Sequence, residues 1–186
     1  ITTIHNAIHK AALLAGFKDD NIPLEKGGSG GLAYADAVIV YLVFSISKAA
    51  DLASTLCHWQ PNPEHLKIAP TFSRHALPIN WDFAEGNPLS DSSGNFFRQI
   101  ELIVQGISLL PSSPSGSSEQ RDASTGTNVY RPIVSTDPPY YSNIGYADLS
   151  DFFYVWLRYS LSRFYPDIFR TVLTPKSAEL IAEPFR

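Results

Sequence analysis

"VYRPIVSTDPPYYSN", residues 129–143, decides how this chain is read. Its first eight residues are rich in β-branched and aromatic side chains, which predicts a buried, central strand over 129–136. The strand is predicted to run directly into the turn Asp137-Pro138-Pro139-Tyr140. In an open α/β sheet, ligands collect at turns at the carboxyl ends of strands. Each proline holds its own φ near −65° and biases the residue before it towards extended backbone. Neither proline has an N–H, so the turn offers carbonyl acceptors and the Asp137 carboxylate but little backbone donor capacity. Its natural ligand is a donor with two hydrogens, such as an exocyclic amine on a nucleobase. Tyr140 beside it presents a flat face on which a base can stack, worth about 1 to 3 kcal/mol.

Helical patterns surround this turn. Ile1, Ile4, Ile8, Ala11, Ala12 and Ala15 recur at three-to-four spacing and predict an amphipathic helix ending at Gly16. "KDDNIPLEKGGSGG" (18–31) reads as a loop, and 32–58 as a long central helix. That helix contains the membrane-like run "LAYADAVIVYLVFSIS", but Asp36 and the polar continuation favour a buried helix over a membrane span. Prolines at 61, 63, 70, 78 and 88 restrict the next part to short extended pieces, "LKIAPTF" and "LPINWDF". A helix returns at 95–110, with Phe96, Phe97, Ile100, Ile103, Val104 and Ile107 on one stripe. Residues 111–128 form a low-complexity linker. After the turn, 148–165 reads as a helix with a core stripe of Phe152, Trp156, Tyr159 and Phe164. A last helix is predicted from Pro175, with Thr174 as its cap.

The 186 residues carry 14 Lys and Arg against 18 Asp and Glu, a net charge of −4, so any grip on a polyanion has to be local. Cys57 is the single cysteine, which excludes an internal disulfide and a cysteine-rich zinc site and fits a reducing, cytoplasmic setting. His5 and His9 stand at i, i+4 with no third ligand nearby and read as a solvated helix face rather than a metal site. Arg158, Arg163, Arg170 and Lys176 are interleaved with acids and read the same way. The chain begins at Ile1 and contains no methionine, from which we expect a piece of a longer protein.

At Asp137-Pro138-Pro139-Tyr140 the sequence resembles the catalytic motif of the S-adenosylmethionine-dependent amino methyltransferases. The longer run "DPPYYSNIGYADLSDFFYVWLRYSL" (137–161), with "YPDIF" (165–169), "LTPKSAEL" (173–180) and "WDFAEGNP" (81–88), looks like one branch, the adenine-specific DNA methylases that carry a zinc ribbon. The resemblance implies an α/β fold: part of a Rossmann-like methyltransferase with a helix-rich N-terminal region over 1–110, the linker 111–128, and strand, turn and helices over 129–186. It implies DNA as partner, no membrane, and transfer of a methyl group to the exocyclic amine of a flipped adenine. Asp137 and the Pro138 carbonyl would accept hydrogen bonds from that amine, Pro139 would hold the turn, and Tyr140 would stack on the base. Tyr141, Asn143 and Tyr146 follow as candidate contacts to the base or the DNA.

The family binds S-adenosylmethionine at a glycine-rich turn after its first strand. Here "GGSGG" (27–31) follows polar residues, and Asp122 is the one candidate cofactor contact. That turn and the zinc-ribbon cysteines are expected in the remainder of a parent chain, and this stretch alone is expected to be inactive. An RNA adenine methyltransferase and a non-catalytic recognition module remain open alternatives. The residues of "WDFAEGNP" offer no chemistry of their own.

Overall fold

Helix α2, Gly31–Leu52, is the element on which the others pack. It contacts α1 (Thr2–Leu14), α3 (Phe96–Ser108) and α4 (Tyr146–Leu161). A computed structural model describes residues 1–61, 67–92, 94–111, 113, 116–119, 121–126, 129–137 and 144–179. The helix is long and apolar enough to cross a membrane by length and composition alone. Here its Ile39 and Val43 meet Leu161 of α4 to form the core, joined by Ile8 of α1 and by Phe164 and Phe169 beyond α4. Apolar residues at this spacing share one helix face, so burying them fixes which side of α2 meets α4.

Asp36 sits within that buried face, 5% exposed, and is held by two contacts. Its Oδ1 lies 2.8 Å from Nε2 of His5, which is 7% exposed, and its Oδ2 accepts the Leu24 N–H at 3.0 Å. A carboxylate taken out of water is tolerated only when its oxygens are satisfied in this way. His5 is therefore no solvated face residue, as its spacing with His9 had suggested. Its ring also packs on Phe164, with centroids 4.9 Å apart.

The turn after α1 uses Gly16 at φ +92°, a left-handed conformation that L side chains rarely adopt. In the glycine run at 27–31, Gly28, Gly30 and Gly31 serve close packing. Gly31 lies where a Cβ would come within 2.9 Å of Leu13 and 3.2 Å of His9, so its bareness lets α2 start against α1.

Past α2 the chain departs from the predicted helix over 32–58. It leaves helical backbone after Leu52, turns, and enters β1 (His58–Gln60), which pairs antiparallel with β2 (Lys67–Ala69) in the register Trp59 opposite Ile68. Cys57 is thus buried in a turn rather than in a helix, its thiol donating to the Asp51 carbonyl at 3.3 Å. Phe83 bridges to the other side of His58, and the Ala84 N–H donates to the Cys57 carbonyl at 3.3 Å. "WDFAEGNP" therefore flanks β1. Helix α3 begins where expected, capped by Asn95, whose side chain accepts the Arg98 N–H at 2.8 Å.

Three expectations fail in the last third. Residues 129–136 form no strand: Tyr130 is 89% exposed, Ile133 is fully exposed, and Arg131 takes a positive φ of 52° inside the run. A strand needs a neighbour for its N–H and C=O groups, and the sheet among the described residues is the β1–β2 hairpin alone. The architecture of the described residues is therefore helix-rich with an antiparallel hairpin, and holds no parallel Rossmann-like sheet. Of the expected core stripe, Phe152 packs on Phe72 and Phe164 on the core, but Trp156 and Tyr159 are exposed, and Tyr154, Leu157 and Leu161 are packed in their place. The helix is apolar on two sides, and packing on α2 selects the stripe one step round from the aromatic one. Finally, a short 3-10 turn at Lys176–Ala178 replaces the helix predicted from Pro175.

Candidate functional site

Asp137 ends the exposed arm 129–137, and its carboxylate makes no hydrogen bond or ion pair with the described residues. Pro138, Pro139, Tyr140, Tyr141 and Asn143 lie outside the described residues. The description resumes at Ile144, and helix α4 starts at Tyr146. The described residues flank the motif on both sides, Asp137 at its start and α4 after it.

The downstream end is a helix N-terminus, where several N–H groups have no partner within the helix. Gly145 at the N-cap position supplies no side chain. The missing acceptor arrives from residues distant in sequence: Glu179 Oε1 accepts the Ala147 N–H at 2.9 Å. Around it the segment 174–179 folds over the first turns of α4. The Thr174 hydroxyl lies 2.6 Å from both the Ala147 carbonyl and Asp151 Oδ1, two acceptors for its single proton. The Thr174 N–H donates to the same Asp151 oxygen at 2.9 Å. Lys176 Nζ bonds to Asp151 Oδ2 and lies 3.4 Å from Asp148 Oδ1. With Lys176 and then Thr174 donating to it, the Asp151 carboxyl falls from its usual value of 3.8 to about 2. The same bond to Asp151 raises the Lys176 ammonium above its usual range.

Thr174, expected to cap a helix of its own, therefore helps to close the start of α4. Lys176, read as part of a solvated face, is committed to the same closure. The signal for both was the fragment "LTPKSAEL", which carried resemblance but no stated role.

Tyr146, the first residue of α4, lies against His75 with ring centroids 5.9 Å apart. Two residues earlier in that loop's sequence is Ser73, and before it Phe72 packs on Phe152 and Phe153 at 5.4 and 5.1 Å. The loop after β2 is thereby fixed alongside the first turns of α4. Sequence reasoning named Tyr146 and missed His75, because nothing local couples residues so far apart.

The remaining candidates lie apart from this closure. Asp122 bends back on its own loop, its Oδ1 accepting the Ser124 N–H at 2.8 Å and the Ser124 hydroxyl at 2.7 Å, and the hydroxyl bond lowers its pKa. Arg163 Nη1 donates to Thr2 Oγ1 at 3.0 Å and Arg170 Nε to the Asp167 carbonyl at 3.0 Å. No group of three or more His, Cys, Asp or Glu among the described residues is arranged to hold a metal. In "WDFAEGNP", Trp81 stands 99% exposed, and Glu85, Gly86, Asn87 and Pro88 line a cavity of about 500 Å³ with Trp59 and Ile68.

Compared with models of known protein families, with curated proteins and with solved structures, the chain finds no match.

Proposed function

We propose that this chain holds the target base in a methyltransferase that modifies the N6 amine of adenine in DNA. The observation that carries the reading is the Asp137 carboxylate: it is exposed, unengaged by the described residues, and followed in sequence by two prolines, which lack N–H groups. A free acceptor beside further acceptors suits an amine with two hydrogens to donate. The resemblance of 137–161 and 173–180 to the zinc-ribbon DNA adenine methylases supports the same reading. So does the closure of the α4 N-terminus by Thr174, Lys176 and Glu179, which holds the first turn of the helix that follows the motif.

In this reading Asp137 and the Pro138 carbonyl accept the two amine hydrogens, favouring a pyramidal nitrogen whose lone pair is free to react. Tyr140 stacks on the base, with Tyr141 as a second wall. Asn143 and Tyr146 line the approach of the strand. These groups act by positioning and by electrostatics already in place before the reaction.

The described residues do not fit the methyl donor, S-adenosylmethionine. Gly31 packs the start of α2 against α1, Gly28 and Gly30 close on the loop's own residues Ile22 and Lys18, the Gly31 N–H is spent on the Lys18 carbonyl at 2.8 Å, and the Asp122 carboxylate is tied to Ser124. The proposal therefore gives this chain the base-holding half and assigns the donor-binding half to other residues of a larger Rossmann-like fold. There, neighbouring strands would also be available to pair with residues 130–136.

The test is methyl transfer by the longer protein that contains this chain, with a labelled donor and with DNA and RNA offered separately. N6-methyladenine in DNA is the expected product. Label in RNA alone would transfer the reading to an RNA substrate, and label in neither would contradict it.

A further inference from the structure

The loop that braces Tyr146 also walls a second cavity of about 500 Å³, lined by His58, Gln60, Ser73, Arg74 and Asn80 among others. Strand alternation explains part of this set. His58 and Gln60 are two apart on β1 and share one face, while Trp59 between them lines the cavity on the other side. Asn80 is fixed by donating from Nδ2 to the Leu56 carbonyl and keeps a second N–H. Arg74 forms no ion pair with the described residues. Among the described residues no carboxylate lines the space. His58 Nδ1 is buried and lacks a hydrogen-bond partner among the described residues.

Arginine, serine, glutamine, asparagine and histidine side chains around one cavity, with no acid among the described lining residues, suit an oxyanion. The planar fork of arginine matches the oxygens of phosphate in particular. The chain as a whole carries −4, so this local excess of donors runs against its overall charge. The next residue after Arg74, His75, faces Tyr146 at the end of the Asp137 turn.

We propose that this cavity takes a backbone phosphate of the nucleic-acid strand whose base enters the Asp137 turn, with Arg74 as its main grip. The nucleic-acid source of the phosphate rests on the base-holding reading. The oxyanion chemistry rests on the cavity alone.

The test is fluorescence anisotropy of a labelled single-stranded oligonucleotide of about 12 nucleotides, titrated with the full protein over a range of salt. Arg74 is exposed, so Arg74→Gln is expected to keep the wild-type circular dichroism. It should weaken binding about 10-fold and lower the magnitude of the salt slope by about 0.7. Arg74→Lys should keep the slope and recover part of the affinity. Wild-type affinity and slope in Arg74→Gln would overturn the site. Inorganic phosphate should shift the His58 ring resonances in the wild type and not in Arg74→Gln, and equal shifts in both would overturn it too. Should inorganic phosphate alone bind as tightly as the oligonucleotide, the strand as source is wrong. Asp137→Ala separates the two readings: it should remove any preference for adenine while leaving the salt slope intact. A neutral Asp137→Ala beside a weakened Arg74→Gln defeats the base reading and keeps the phosphate site, and the reverse pattern does the opposite.

Discussion

Glu179 caps helix α4 from outside it, its carboxylate accepting the Ala147 N–H at 2.9 Å across 32 residues of sequence. The acid supplies what Gly145 cannot, and its negative charge also complements the positive end of the helix dipole. Glu179→Ala should lower stability by about 0.5 to 2 kcal/mol in urea unfolding. Glu179→Gln, which keeps an acceptor oxygen, should cost less. Equal stability of all three proteins would show that the cap contributes nothing.

Asp151 gives the closure a pH dependence with a definite sign. Its folded pKa is about 2 against an ordinary 3.8, so the folded protein binds a proton there less readily than the unfolded chain. The stabilisation is complete above about 3.8 and is lost as pH falls through about 2. Replacing Lys176 by Met removes the main cause and should let the Asp151 carboxyl titrate nearer 3.8, followed by carboxyl-carbon NMR. An unchanged titration would mean that Lys176 is not the partner that holds it down.

The pair of His5 and Asp36 bridges α1 and α2 inside the core. Asp36→Ala strands both the His5 ring nitrogen and the Leu24 N–H, and should cost about 1 to 3 kcal/mol in chemical denaturation. Tyr159→Ala, on an exposed part of α4, is the control and should stay within about 0.5 kcal/mol of wild type.

The exposed arm gives a test of the fold itself. Because Ile133 is fully exposed here, Ile133→Ala in this 186-residue chain by itself should change stability by less than about 0.5 kcal/mol. In a buried central strand the same change would cost about 2 to 5 kcal/mol, so a loss of that size would restore the strand expected from the sequence.

The contrast between α3 and the 129–136 arm shows where sequence reasoning succeeds. Phe96, Ile100 and Ile103 recur at helical spacing behind an Asn95 cap, and both signals act within a few residues, so α3 was legible. A strand is stable only with a partner, and β-branched content cannot reveal whether one is present. For the same reason, the long apolar run of α2 could be read as a helix, while its end at Leu52 depended on the pairing of His58 with Ala69 and Phe83. On α4 two apolar stripes competed, and only contact with Ile39 and Val43 selected the one containing Leu161. Of the proposed site, Asp137 and Tyr146 were named from the turn chemistry and the resemblance. Glu179, Thr174, His75 and Arg74 were not, because each acts through a contact or cavity between residues far apart in the chain.

The central claim is that the Asp137 carboxylate holds the amine of a target adenine. The most direct measurement is the rate of methyl transfer to adenine in DNA by the longer protein, wild type against Asp137→Ala. Since Asp137 is exposed and unengaged by the described residues, the substitution should leave folding intact. A fall in rate of about 100-fold or more, with unchanged unfolding, is the predicted result. A wild-type rate in Asp137→Ala would contradict the account.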